Sequence, residues 1–236
     1  MTKSTKLQSE FVRRFNRINS GSQRYVSAPE IDSYLNEALQ MFFENRVPLY
    51  KTSNLAKQEL RILEEKNICF SCQQFDNRSV YFELPENYYK ILRAEAFIQC
   101  PECPEISANT QEIMNHDVSE ILRDPNWIPS YNYAETYYEM AGNKVIIYHN
   151  NAFEINRVCI DYLRKPKPIA TPSLAYNGSY IDGNGDLISV DSDLELDVER
   201  KIADLAVLIA SRDLSDFPEF QYKEKKIMQT ERIYIS

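Results

Sequence analysis

At 236 residues, 43% of them hydrophobic and 26% charged, the chain is long enough for one substantial core and has an ordinary globular composition. A net charge of −8 runs against a protein that grips duplex DNA by its phosphates, which needs clustered Lys and Arg. The five glycines never form GxGxxG or a P-loop, so no backbone cradle for a nucleotide phosphate is expected.

The first 67 residues read as helical. In LQSEFVRRFNRI, Leu7, Phe11, Phe15 and Ile18 form one apolar stripe, with Arg13, Arg14 and Arg17 largely off it, on a face that is solvated or else contacts phosphate or a partner. The cluster Asn19-Ser20-Gly21-Ser22 then breaks the helix. A second helix opens at SAPE, where Ser27 and Glu30 have capping-box spacing, and carries Ile31, Tyr34, Leu35, Ala38 and Phe42 before Pro48 ends it. A third is predicted from Ser53 to Lys66 on Leu55, Ile62 and Leu63. A helix-turn-helix is conceivable here, but the acidic balance favours plain packing.

From Asn67 the texture turns β-branched and aromatic. SVYFELP is a strand candidate, separated by Pro85-Glu86-Asn87 from YYKILRAEAFI, whose apolar spacing fits a strand or a helix. A short helix, Asp117 to Arg123, has Asp117 and Glu120 as a capping pair. ETYYEMA, KVIIYHN and FEINRVCIDYLRKP then read as a meander with turns at Gly142-Asn143 and His149-Asn150-Asn151, closed by Pro166 and Pro168. Residues 170 to 192 suggest a loop with a hairpin turn at Asn184-Gly185. A last helix, Leu194 to Ser215, has an apolar face of Val198, Ile202, Leu205, Ala206 and Ile209, with Pro218 beyond it. The fold class expected is α+β, one domain with helical parts at both chain ends and a central, mostly antiparallel sheet. The N-terminal helical region spans about 5–67, the β-rich centre about 68–192, and the C-terminal helix with an extended tail about 193–236.

The strongest chemical signal is two CxxC units, Cys69 with Cys72 and Cys100 with Cys103. Four thiolates close a tetrahedral structural zinc site, making this set the candidate metal ligands. Against it, the 27 residues between the pairs exceed the usual gap of roughly 15 to 20, and i and i+3 on a strand face opposite ways. The competing reading is reduced, half-buried cysteines serving as small hydrophobes; Cys159 reads as core, with no disulfide expected.

Asp182 to Asp186 resembles the start of a calcium loop, but Leu187 stands where such a loop needs glycine, so a hairpin turn fits better. Asn177-Gly178-Ser179 matches a glycosylation sequon, which matters only in a secreted chain. Neither histidine lies in HExxH and no GxSxG elbow occurs; His116 beside Asp117 has no nucleophile near it in sequence, and no active site or catalytic residue is assigned. The N-terminal MTKSTKLQSEFVRRF lacks the apolar stretch of a secretion signal, and no apolar run approaches the roughly 20 residues that cross a bilayer, so a cytosolic origin without membrane partners is expected.

Taken in order, ELPENYYKILRAEAFI, DVSEILRDPNWIPSYNYAETYYEMAGNKVIIY, INRVCIDYLRKPKPI and ELDVERKIADLAVLIASRDL resemble the connector adaptor proteins of short-tailed phages, most closely a ring protein of crAss-like phages, over about residues 5 to 220. The resemblance implies a structural virion protein without enzymatic activity or a required cofactor, assembled in the host cytoplasm into a closed, dodecameric ring of the neck. Its partners would be further copies of itself, the portal and other neck and tail rings, with DNA passing through without sequence-specific binding. An acidic lining suits that passage, because it offers DNA no counterion-release gain. The terminal segments, with Phe11 and Phe15 at one end and Ile233, Tyr234 and Ile235 at the other, are expected to anchor on neighbours, the alternative for Phe11 and Phe15 being packing within their own subunit. The competing function is a zinc-stabilised module binding nucleic acid or protein.

Overall fold

The computed structural model describes residues 3–18, 25–114, 118–124, 127–171 and 190–214. The turn at Asn19 to Ser22, the pair His116 and Asp117, the sequon at Asn177, the Asp182 to Asp186 loop with its turn, and the C-terminal tail from 215 lie outside the described residues. The class is α+β. The chain divides into two compact units: its two ends, Met1–Ile62 with Pro166–Ser236, make one, and Leu63–Lys165 makes the other. No helix among the described residues is long and apolar enough to cross a membrane.

The helical unit holds α1 (Lys3–Ile18), α2 (Ala28–Arg46), α3 (Asn54–Leu60) and α5 (Leu196–Leu214). The α1 stripe is real: Leu7, Phe11 and Phe15 are buried, and Phe11 stacks on Phe15 and on Tyr34 of α2 at centroid distances of 5.7 and 6.3 Å, so these two rings pack within their own helical unit and not on a neighbour as expected. At the start of α2 the Glu30 carboxylate accepts the Ser27 backbone N–H at 2.8 Å and the Ser27 hydroxyl at 2.7 Å. Those bonds favour the charged form and hold the Glu30 carboxyl below its ordinary range. Helix α5 buries Val198, Ile202, Ala206 and Ile209 and packs on α1 and α2.

The third helix is shorter than its sequence suggests. It ends at Leu60, passes through a 3-10 turn (Arg61–Leu63), and is already strand at Glu64. Glu64 and Glu65 are drawn into a ladder with Leu163 and Tyr162, a non-local pairing that outweighs their helix propensity. The stripe is displaced accordingly: Leu55 and Ile62 are exposed, while Ala56, Leu60 and Leu63 are buried.

The second unit is built on eight strands: β1 (Glu64–Ser71), β2 (Gln73–Asp76), β3 (Ser79–Glu83), β4 (Tyr88–Gln99), β5 (Ile106–Glu112), β6 (Glu135–Ala141), β7 (Lys144–Tyr148) and β8 (Glu154–Arg164), with α4 (Val118–Ile121) between β5 and β6. Their order is β1-β8-β4-β5-β6-β7-β3-β2. Only Cys72 separates β1 from β2, yet these form the two edges, so one extended run of chain pairs first with β8 and then, past Cys72, with β3. The sheet therefore curls until its edges meet through the chain itself, and Phe70 of β1 stacks on Phe82 of β3 at 4.9 Å. Alternate residues fill the inside: Val80 and Phe82, Ala94, Ala96 and Ile98, Val145 and Ile147, and Val158, Ile160 and Tyr162.

Three expectations are refined here. YYKILRAEAFI, open between helix and strand, is strand β4, its Arg93 and Glu95 paired on the face away from the core. The meander is wrong beyond its first hairpin: β6 and β7 pair around Gly142 (φ +62°), but β8 leaves to run between β1 and β4 while β3 takes the free edge of β7. The sheet is mixed, because β5 and β6 are parallel, their crossover carrying α4. Strand β5, ISANTQE, lacks apolar alternation and is invisible to periodicity; its inward side is Ala108 and Thr110, whose hydroxyl bonds that of Thr136 at 2.8 Å.

Candidate functional site

The β1–β8 register sets Cys69 directly opposite Cys159, and the two are joined by a disulfide with their Cα atoms 3.9 Å apart. This corrects the expectation that Cys159 stands alone in the core: it is buried, but bonded across the ladder. Just before this pair β1 carries a bulge at Asn67 (φ +52°), whose N–H donates to Asp161 Oδ1 at 2.7 Å. Asparagine tolerates that left-handed backbone at modest cost.

Alternation along the strand then turns Cys72 the other way, against the interior cluster. Burial pushes the Cys72 thiol up to about 12, so it stays protonated and unreactive at neutral pH. The loop from β4 to β5 holds the other two: the Cys103 N–H donates to the Cys100 carbonyl at 3.3 Å, which brings the two thiols near one another. Burial, then the Cys103 thiol, pushes the Cys100 thiol up. The loop is braced by Tyr131, whose hydroxyl donates to the Pro104 carbonyl at 2.7 Å and also meets Cys103, and by Arg157, which pairs with Glu105 at 3.3 Å and lies over the Phe97 ring.

Cys72 lies near Asn156 of β8, to whose carbonyl its N–H donates at 3.4 Å; on the other side of β8, Gln99 faces Glu154 and leads into Cys100. Cys72 and the Cys100–Cys103 pair thus share one end of the curled sheet but flank β8, roughly 10 Å apart at two strand spacings. The structure does not bring the four predicted zinc ligands together: Cys69 is spent on Cys159 and points outward. No group of three or more His, Cys, Asp or Glu side chains that could hold a metal ion gathers among the described residues.

A second feature is a groove of about 880 Å³ in the helical unit, between α1 and the start of α5, lined by Lys3, Lys6, Arg13, Arg14 and Arg200 with Glu10 and Glu199. Positions 3, 6, 10 and 13 fall on one face of α1. Arg14 is held by Glu10 at 2.7 Å, by Asp204, and by the carbonyl of Arg200 at 3.0 Å. Lys3, Lys6 and Arg200 escaped the sequence reading, although the spacing of Lys3, Lys6 and Arg13 was available as a signal; Arg200 joins them only once α5 packs on α1. Such a groove can take carboxylates or another compact anionic surface. By contrast, Leu63–Lys165 carries sixteen acidic against nine basic residues. No protein-family model matches the chain, and no characterised protein sequence matches it.

Proposed function

We propose that this chain is a structural subunit of a phage neck, closing head-to-tail into a ring between portal and tail through which the genome passes. Helices at both chain ends would dock on the portal and the curled sheet would form part of the ring wall. Besides the resemblance of its phrases to connector adaptors, one observation carries this reading: the acidic excess sits in the β-rich unit, while the helical unit is near neutral and carries a groove lined by cations. Five cationic side chains line the α1–α5 groove with two carboxylates, and Asp191, Asp197 and Asp204 lie beside Lys3, Arg200 and Arg14, while the β-rich unit has an excess of seven negative charges. A heterologous interface repeated around an axis needs two different, complementary patches on every subunit, and this division supplies a candidate pair. A surplus of negative charge also suits a channel through which DNA slides without being trapped.

The test is the intact particle. Quantitative mass spectrometry of purified virions should find this chain at a fixed ratio to the portal, and a map should find it in the neck; absence from purified virions rejects the reading. Charge reversal in the groove should weaken ring formation more at low than at high ionic strength, since only exposed pairs are screened.

A further inference from the structure

We propose that Cys100 and Cys103 form a redox-active vicinal dithiol that closes to a disulfide by exchange with small-molecule disulfides of the glutathione class. The inference stands apart from the ring reading, since the chemistry belongs to the loop whatever the chain assembles into.

The geometry is already that of a dithiol poised to close. The turn bond from Cys103 N–H to Cys100 carbonyl, 3.3 Å, curls residues 100–103 back on themselves and sets the two cysteines at the two ends of one turn. The loop cannot easily splay, because Tyr131 ties the next residue, Pro104, at 2.7 Å and Arg157 holds Glu105 at 3.3 Å. Both cysteines are half-buried, so a small disulfide can reach them; Cys72 is half-buried too but lies across β8 from the pair, and Cys69 and Cys159 are already bonded. In the reaction one cysteine loses its proton and attacks a sulfur of oxidised glutathione, forming a mixed disulfide and expelling one glutathione thiolate. The second cysteine, deprotonated in turn, attacks the cysteine sulfur of that mixed disulfide and expels the other. Two cysteine thiols are oxidised to one disulfide, oxidised glutathione is reduced to two glutathione thiols, and the two protons end on the products.

The full-length chain lends itself to the measurement, because no Lys or Arg lies between Ala94 and Arg123, so one tryptic peptide carries Cys100 and Cys103 and no other cysteine. Folded protein is equilibrated with glutathione from mostly reduced to mostly oxidised, alkylated without reduction, and digested. The peptide should pass from two labels to none with the loss of two hydrogens, and should recover both labels in reduced buffer. Half-conversion should need roughly tenfold less oxidised glutathione in the folded chain than in urea, because the loop raises the effective concentration of one thiol at the other. Cys100→Ser and Cys103→Ser should each carry a single glutathione on the remaining cysteine. Two labels surviving in oxidised buffer, two separate glutathione adducts in the unaltered chain, equal midpoints in folded and denatured protein, or thiols that react only after a chelator is added would each overturn the proposal, the last in favour of a metal ligand pair.

Discussion

The two units keep their register by different means. Among the described residues of the helical unit no backbone ladder joins one helix to the next, and buried polar side chains tie segments far apart in sequence. Asp32 accepts from the Thr171 N–H and hydroxyl at 2.8 and 3.1 Å and from Gln8 at 3.0 Å. Glu59 is gripped by Arg46 at 2.9 Å and by Lys201, and Asn36 both donates to the Ile169 carbonyl and accepts its N–H. In the β-rich unit the ladders already specify who lies beside whom, and the interior is largely apolar, with Ser79, Glu139, His149 and the Thr110–Thr136 pair as its buried polar side chains among the described residues. Its buried carboxylate among the described residues, Glu139, is met by Tyr148 from the adjoining strand at 2.7 Å, which, after burial, helps push that phenol up. Helices slide over apolar surfaces at little cost, so specificity there falls to polar contacts that have only one satisfied arrangement.

The sharpest way to break this contrast is to damage the apolar interior. Ile147 is fully buried between strands β6 and β3, and Ile147→Ala should cost about 3 kcal/mol in a denaturant titration. Hydrogen exchange should quicken across the strands from 64 to 164, with helices α2 and α5 changed much less. A uniform gain in exchange would mean that the units unfold as one and that the contrast has no thermodynamic content.

The helical unit gives the next largest effect. Glu59→Leu removes a carboxylate whose side chain is 5% exposed and strands Arg46, 21% exposed, beside it. The expected loss is about 2 kcal/mol, below the range for fully buried pairs because Lys201 stays half in water. Replacing Arg46 and Lys201 by Met in the same chain should recover much of it. A triple variant as unstable as the single one would show that Glu59 acts by packing alone.

This division also explains what could be read in advance. Local signals were legible: the α1 stripe, the Ser27–Glu30 box, the face of α5, the Gly142 hairpin. What escaped depends on partners distant in sequence. Glu64 and Glu65 look like a helix end until β8 offers them a ladder, ISANTQE looks like a loop until β4 and β6 flank it, and β8 looks like the third strand of a meander until β4 outcompetes β7 for it. The cysteines follow the same rule. That Cys69 and Cys72 face opposite ways follows from strand periodicity alone, whereas the partner of Cys69 is set by register, which no spacing reveals.

A smaller effect separates the units by pH. His149, in the β-rich unit, is buried, its Nδ1 accepting the Asn151 N–H at 3.2 Å, and burial lowers its affinity for a proton despite the nearby carboxylates Asp76 and Glu154. Its folded value thus lies below the ordinary 6.5, so the unfolded chain binds more protons between the two. The contribution to stability is complete above 6.5, falls as pH drops below it, and levels off beneath the folded value, with a slope of at most about 1.4 kcal/mol per pH unit. Urea titrations from pH 7.5 to 5 should find a weaker pH dependence in His149→Asn, and the loss should appear in the exchange of the strands. Identical pH profiles would mean that His149 charges freely in the folded chain.

The smallest effect on folding should accompany the largest on assembly. Lys3 and Lys6 line the α1–α5 groove, where Lys3 lies near Asp191, while the apolar stripe of α1, Leu7, Phe11 and Phe15, is on its buried side. Reversing both charges leaves that stripe untouched, so stability should change by no more than about 0.5 kcal/mol, the usual span for surface substitutions. Two small terms oppose one another there: acidic residues in the first turn complement the helix dipole, and α1 has none, while Glu at position 3 would repel Asp191, which Lys3 now attracts. If the groove meets the acidic face of a neighbouring copy, Lys3→Glu with Lys6→Glu should still be depleted from particles when co-expressed with the unaltered chain, and reversing acidic residues of the β-rich unit should restore it. Equal incorporation of the two chains would leave the groove without a role in assembly and remove the charge division as an argument for the ring.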